Sequence, residues 1–161
     1  MGREGEPFYG SFDGQFHVIS NLVINHPSEN GVGFIGFINS VPADAEHKDD
    51  DRTQNPVFIR NLTLDESCEV TGYAYVGGIL GGTSDWQGLV QVQNCVVQCK
   101  VFALGGANAG GIHGVCMGGS CAIHVDNCGV TSTVRGYKEC GVISGWMGRQ
   151  ALQLLVHLSG L

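Results

Sequence analysis

The densest run of potential ligands is HGVCMGGSCAIH, residues 113–124, where His113, Cys116, Cys121 and His124 follow an H-x2-C-x4-C-x2-H spacing. Thiolates and imidazoles at such intervals are the donors tetrahedral zinc takes. The surrounding pattern argues against a shared ion. His113 and His124 fall inside short alternating runs, aligned with Leu80 and Gln91, and strand parity directs both outward. A residue three along an extended strand faces the other way, so the four do not converge. A local Cys116–Cys121 disulfide across MGGS is open to an oxidising compartment, but two free thiols are the simpler expectation. An activated thiolate needs an electropositive setting, and nothing nearby supplies one. No metal or other cofactor is expected.

The acidic groups are as dispersed. The run ADAEHKDDDRTQNP (43–56) holds Asp49, Asp50 and Asp51 in a row. Calcium favours clustered oxygens, but EF-hand spacing is missing and a solvated loop explains the run. Glycoside chemistry requires two carboxylates flanking one bond. Asp13, Asp65 and Asp85 lie in different parts of the pattern described below, and no Ser-His-Asp grouping is recognisable. A non-catalytic protein is the expectation.

The elements that would position these residues are repeats. ISNLVI (19–24), IRNLTL (59–64), VQNCVV (92–97) and VDNCGV (125–130) place asparagines at 21, 61, 94 and 127. A second block follows each, VGFIGF from Val32, VGGILG from Val76, AGGIHG from Ala109 and CGVISG from Cys140. Apolar residues stand two before, one after and three after each asparagine. That is a half-buried strand whose phase changes at Asn21, Asn61, Asn94 and Asn127. Asparagine tolerates the left-handed bend such a change needs, and amides stacked rung on rung could bond as a ladder. In this alignment Cys95 and Cys128 share an inward column with Leu22 and Leu62, so they read as small wall residues. Cys99 continues the same inward parity.

Coils of about 33 residues stacked ~4.8 Å apart predict an all-β, right-handed parallel β-helix (β-solenoid). It would have about four rungs of three short strands. One domain would span 1–161, with the repeats at about 8–148 and a loop insertion at about 39–56. Residues 149–161, with Ala151, Leu154, Leu155 and Leu158 at helical spacing, would form a short C-terminal capping helix or a partial rung. The 26 glycines against 4 prolines suit tight turns and close backbone stacking. With 14% charged residues and a net charge of -7, no footprint for nucleic acid or an anionic membrane exists. No apolar run reaches spanning length, so membrane insertion is not expected.

The motifs GFIG (33–36) and GILG (78–81), with the degenerate GIHG (111–114) and VISG (142–145), resemble the GLUG-motif family. The lead-in FYGSFDGQFHVISNLVI is also similar, and the likeness covers about residues 8 to 148. On this likeness Gly33, Gly36, Gly78, Gly81, Gly111, Gly114 and Gly145 are the motif's turn glycines. The resemblance implies a β-helical repeat region of a secreted or cell-surface bacterial protein, adhesin-like and without catalytic residues of its own. The chain begins without a secretory leader, so a piece of a longer parent with further domains is expected.

The loops after each glycine block, 37–56, 82–88, 115–121 and 146–150, leave one common corner. That edge, with Asp85, Trp86 and Trp146, is the candidate surface for a glycan or a host or cell-surface protein. Two alternatives are a polysaccharide-active β-helix enzyme of lyase or glycosidase type and an intracellular zinc- or thiol-containing protein.

Overall fold

The computed structural model describes residues 1–39, 52–83, 88–117 and 122–147. Every regular element among them is a strand. A short β1 (Phe8–Tyr9) leads into a first coil of β2 (Phe12–Ile19), β3 (Val23–Val32) and β4 (Ile35–Asn39). The second coil is β5 (Arg52–Leu64), β6 (Glu69–Gly77) and β7 (Leu80–Thr83). In the third, β8 (Gly88–Gln93), β9 (Val96–Val97), β10 (Lys100–Ala103), β11 (Ala107–Gly110) and β12 (His113–Cys116) follow. The fourth repeats it as β13 (Ala122–Asp126), β14 (Gly129–Val130), β15 (Thr133–Arg135), β16 (Lys138–Gly141) and β17 (Ser144–Met147).

Equivalent strands of successive coils pair in parallel, so the chain is a parallel β-solenoid. The first side stacks β2, β5, β8 and β13, the second β3, β6, β10 and β15, the third β1, β4, β7, β12 and β17. About three turns thus build four layers. Register follows the sequence period, since Ile59 pairs with Val92 and Val92 with Val125, each 33 residues apart. These columns are the core. Ile59, Leu64, Val70, Val92, Val97 and Val101 are all fully buried, each contributing roughly 1.5–3 kcal/mol.

The first coil departs from the sequence alignment. Phe12 pairs with Ile59 and Ile19 with Leu64, with a register shift between Asp13 and His17. Gln15 and Phe16 have φ of 51° and 62° there, so two extra residues are absorbed in a bulge. Asn21 therefore lies one corner further along, where its backbone N–H donates to Ser67 Oγ at 2.7 Å. Leu22 follows it, stacking before Cys68 rather than in the Leu62 column. The motif similarity of ISNL and IRNL thus misleads by one corner. The register of β5 on β8 also shifts between Arg52 and Val57. Asn39 ends β4, Arg52 begins β5 and 40–51 fall between them, so the insertion expected at about 39–56 lies largely outside the described residues. Residues 149–161, expected to form a helix or partial rung, lie outside them too.

The motif glycines mark where backbone meets backbone. A Cβ on Gly81 would sit 2.4 Å from Gly31 C, one on Gly114 2.5 Å from Tyr75 C, and one on Gly145 2.6 Å from Asn108 C. Each third-side strand thus presses on the second side of the preceding coil, and only hydrogen fits. Gly36 meets Gly2 and Gly31 in the same way. At the corner itself, Gly33 abuts Gly81 N, Gly78 abuts Gly111 O and Gly111 abuts Val142 O.

Candidate functional site

Two corners carry a left-handed residue in three or more successive coils, and they differ chemically. At the first corner Asn61, Asn94 and Asn127 have φ between 50° and 54°. Asn127 Nδ2 donates to Asn94 Oδ1 at 2.8 Å, and Asn94 Nδ2 to Asn61 Oδ1 at 3.0 Å. The ladder ends on Asp13, not on Asn21, because Asn61 Nδ2 donates to Asp13 Oδ1 at 2.9 Å. The Gln15 backbone N–H, then the Asn61 amide and the Arg60 guanidinium, hold the Asp13 carboxyl below the usual range. Asp65 is lowered likewise by the hydroxyls of Ser20 and Ser67. Each acid is thus bonded to donors at its own corner.

The cysteine and histidine group dissolves into wall residues. His113 was expected to face outward, but it is 1% exposed. It stands in the column of Ile35, Leu80 and Ser144, and Nδ1 lies 3.1 Å from Ser144 Oγ. Parity does not divide this side into inner and outer faces, because β4, β7 and β12 are buried along their whole length. Burial pushes the His113 pKa down to about 4, so the ring is neutral, and Nε2 has no hydrogen-bond partner among the described residues. His124 lies on β13, on a different side, paired with Gln91. Cys116 is disulfide-bonded rather than a free thiol, while Cys121 lies outside the described residues. Among the described residues no group of three His, Cys, Asp or Glu could hold a metal.

Cys95 and Cys128 are stacked, with Cys95 N–H donating to Cys128 Sγ at 3.4 Å. The Cys128 thiol beside it and burial push the Cys95 thiol up. Cys99 is raised to about 11 by desolvation, with Cys68 contributing. The Cys95 and Cys99 thiols are thus packing atoms, protonated at neutral pH, while the hydrogen bonds from Cys95 lower the Cys128 thiol. Cys140, by contrast, is exposed and free.

The second left-handed corner is open. Gly31, Tyr75, Asn108 and Glu139 have φ of 70°, 57°, 73° and 55°, one per coil. Asn108 is 5% exposed and donates Nδ2 to Glu139 Oε2 at 2.7 Å. Against this column runs the third-side column in which Val115 pairs with Trp146. Between them lies a groove of about 490 Å³, lined by Tyr75, Asn108, Val115, Met117, Glu139 and Trp146. Trp146 is 41% exposed there, an aromatic face beside an amide and a carboxylate.

The third-side strands end in register at Thr83, Cys116 and Met147, and 84–87, 118–121 and 148–150 beyond them lie outside the described residues. Asp85 and Trp86, the edge residues first singled out, lie outside the described residues. Trp146 does reach that edge. Tyr75, Asn108 and Glu139 were not singled out in the sequence, although a signal exists. Each directly precedes the apolar-glycine pair of its repeat, Val76-Gly77, Ala109-Gly110 and Cys140-Gly141, where the first coil has Gly31. A Gly and an Asn at one repeat position point to left-handed backbone.

No family model, curated protein or solved structure matches the chain.

Proposed function

We propose that this chain is a non-catalytic structural and adhesion-type repeat module of a secreted or cell-surface bacterial protein, of the kind the GLUG resemblance implies. The parallel stack is the rigid scaffold, and the edge where the connections leave presents surface to a glycan or protein. The observation that carries this reading is the groove at that edge, with Trp146 half-open over Asn108 and Glu139. The carboxylates support a non-catalytic role. Asp13 and Asp65 are bonded to donors at their own corners, and Glu139 is the only acid among the described groove residues.

The test is incubation of the purified protein with immobilised glycans and cell-surface proteins, and separately with soluble polysaccharides. Saturable binding without polysaccharide turnover is expected. Release of reducing ends or unsaturated sugars would replace this reading with the enzyme one.

A further inference from the structure

The groove's polar groups are selective in a way its outline is not. One of the two Asn108 amide N–H groups is spent on Glu139, and Oδ1 makes no hydrogen bond among the described residues. The groove residues thus carry both kinds of group: acceptors in Asn108 Oδ1 and the second Glu139 oxygen, and donors in the second Asn108 N–H, the Trp146 indole N–H and the Tyr75 hydroxyl. No Lys, Arg or His is among the described lining residues. A phosphate, sulfate or carboxylate ligand would meet Glu139 without a compensating cation, which opposes it. The ligand must both donate and accept.

An ammonium group only donates and would leave the groove's own donors unmet, whereas sugar hydroxyls both donate and accept. Tyr75 belongs to the second coil and Trp146 to the fourth, so the groove crosses more than one layer and offers two aromatic side chains to an extended ligand. Val115 and Met117 add apolar wall between them, and a volume of about 490 Å³ is ample for more than one ring. Pyranose rings have flat apolar faces, with hydroxyls at their edges.

Resting on the adhesion reading, we propose that this groove binds a neutral oligosaccharide. A ring stacks on Trp146 and hydroxyls donate to Asn108 Oδ1 and Glu139. Asn108 and Glu139 hold each other in place, so the acceptors are set before the sugar arrives.

The experiment is calorimetric titration of the whole chain with neutral hexose and N-acetylhexosamine oligomers, sialylated and sulfated oligosaccharides, and choline. The variants are Trp146→Ala and Glu139→Gln, with circular dichroism as the check on folding. Neutral oligomers are expected to bind best. Trp146→Ala should weaken them about tenfold or more. Glu139→Gln keeps an acceptor and a partner for Asn108, so it should stay within about threefold. Tightest binding of choline, lost with Glu139→Gln, would overturn the proposal in favour of a cation site. Preference for the anionic sugars, no binding of any neutral oligomer, or binding indifferent to Trp146→Ala would also overturn it. Glycan or protein binding that persists in Trp146→Ala would leave the adhesion reading standing at another surface, so the two fail separately.

Discussion

The two left-handed corners have nearly the same backbone and opposite chemistry. At the first, Asn61, Asn94 and Asn127 are alike, and their amides bond to one another down the stack. At the second, the same conformation is carried by Gly31, Tyr75, Asn108 and Glu139, and one amide bond joins the last two. Identity at a stacked position lets side chains satisfy each other, even on the exposed surface where Asn94 and Asn127 lie. Variety leaves groups over for something else. Left-handed φ costs an L residue roughly 1–2 kcal/mol, and only the first corner offsets that cost with a repeated bond. The second corner carries strain that its own contacts do not explain.

Breaking the wall behind the second corner should have the largest effect. Gly114 lies where a Cβ would be 2.5 Å from Tyr75 C and from Gly81 O. Backbone on both sides cannot yield as a side chain would. Gly114→Val is expected to cost more than about 3 kcal/mol or to prevent folding. Chemical denaturation, with circular dichroism in the unstressed protein, measures it. A loss near that of an exposed substitution would mean that the third side does not press on the second.

The next largest effect lies inside the third side, at His113. Its folded pKa, about 4, is below the ordinary value near 6.5. The unfolded chain thus binds more protons between those values, and stability rises with pH across that window. The contribution is complete above about 6.5 and is lost as pH falls to about 4, by up to about 3 kcal/mol. His113→Leu, which copies Leu80 one coil earlier, should flatten stability between pH 4 and 6.5. Asp13 and Asp65, with lowered carboxyl pKa values, add a loss only below their usual range near 3.8, outside the window. Denaturation midpoints of the two proteins at pH 4.5 and 7 check it, and parallel pH dependence would contradict buried, neutral His113.

Asn94 tests the closed corner itself. It donates to Asn61 and accepts from Asn127, so Asn94→Ala removes two bonds and leaves Ala in left-handed backbone. A loss of about 2–3 kcal/mol is expected. Asn94→Gly restores the backbone freedom and should recover about half. If Gly does no better than Ala, the corner is held by its bonds and not by its conformation.

What the sequence made legible follows from period. Columns such as Ile59, Val92 and Val125 repeat at one spacing, so parallel stacking, inward parity and the amide ladder could be read from letters. The first coil could not be read this way. A bulge at Gln15 and Phe16 shifts Asn21 to the next corner without altering its motif. His113 was misplaced because parity assumes one exposed face, whereas β12 is buried along its whole length. The groove was half legible. Trp146 stood out as an aromatic at the shared edge. Tyr75, Asn108 and Glu139 have three different side chains at one position, and only their common φ makes them a column.

The smallest expected effect separates the two corners most sharply. If Tyr75 is held left-handed for the ligand rather than for the fold, Tyr75→Gly should relieve about 1–2 kcal/mol of backbone strain. It also adds freedom to the unfolded chain, worth about 0.4–1 kcal/mol, and removes a half-buried ring. The net change in stability should be near zero, within about 1 kcal/mol, while binding of a neutral oligosaccharide falls because one stacking face is gone. The matching change at the other corner, Asn94→Gly, should lower stability and leave binding intact, since Asn94 does not line the groove. Paired denaturation and calorimetry on the two glycine variants read both quantities. A stability loss at Tyr75 as large as that at Asn94 would make the second corner a structural device like the first, with no strain set aside for recognition.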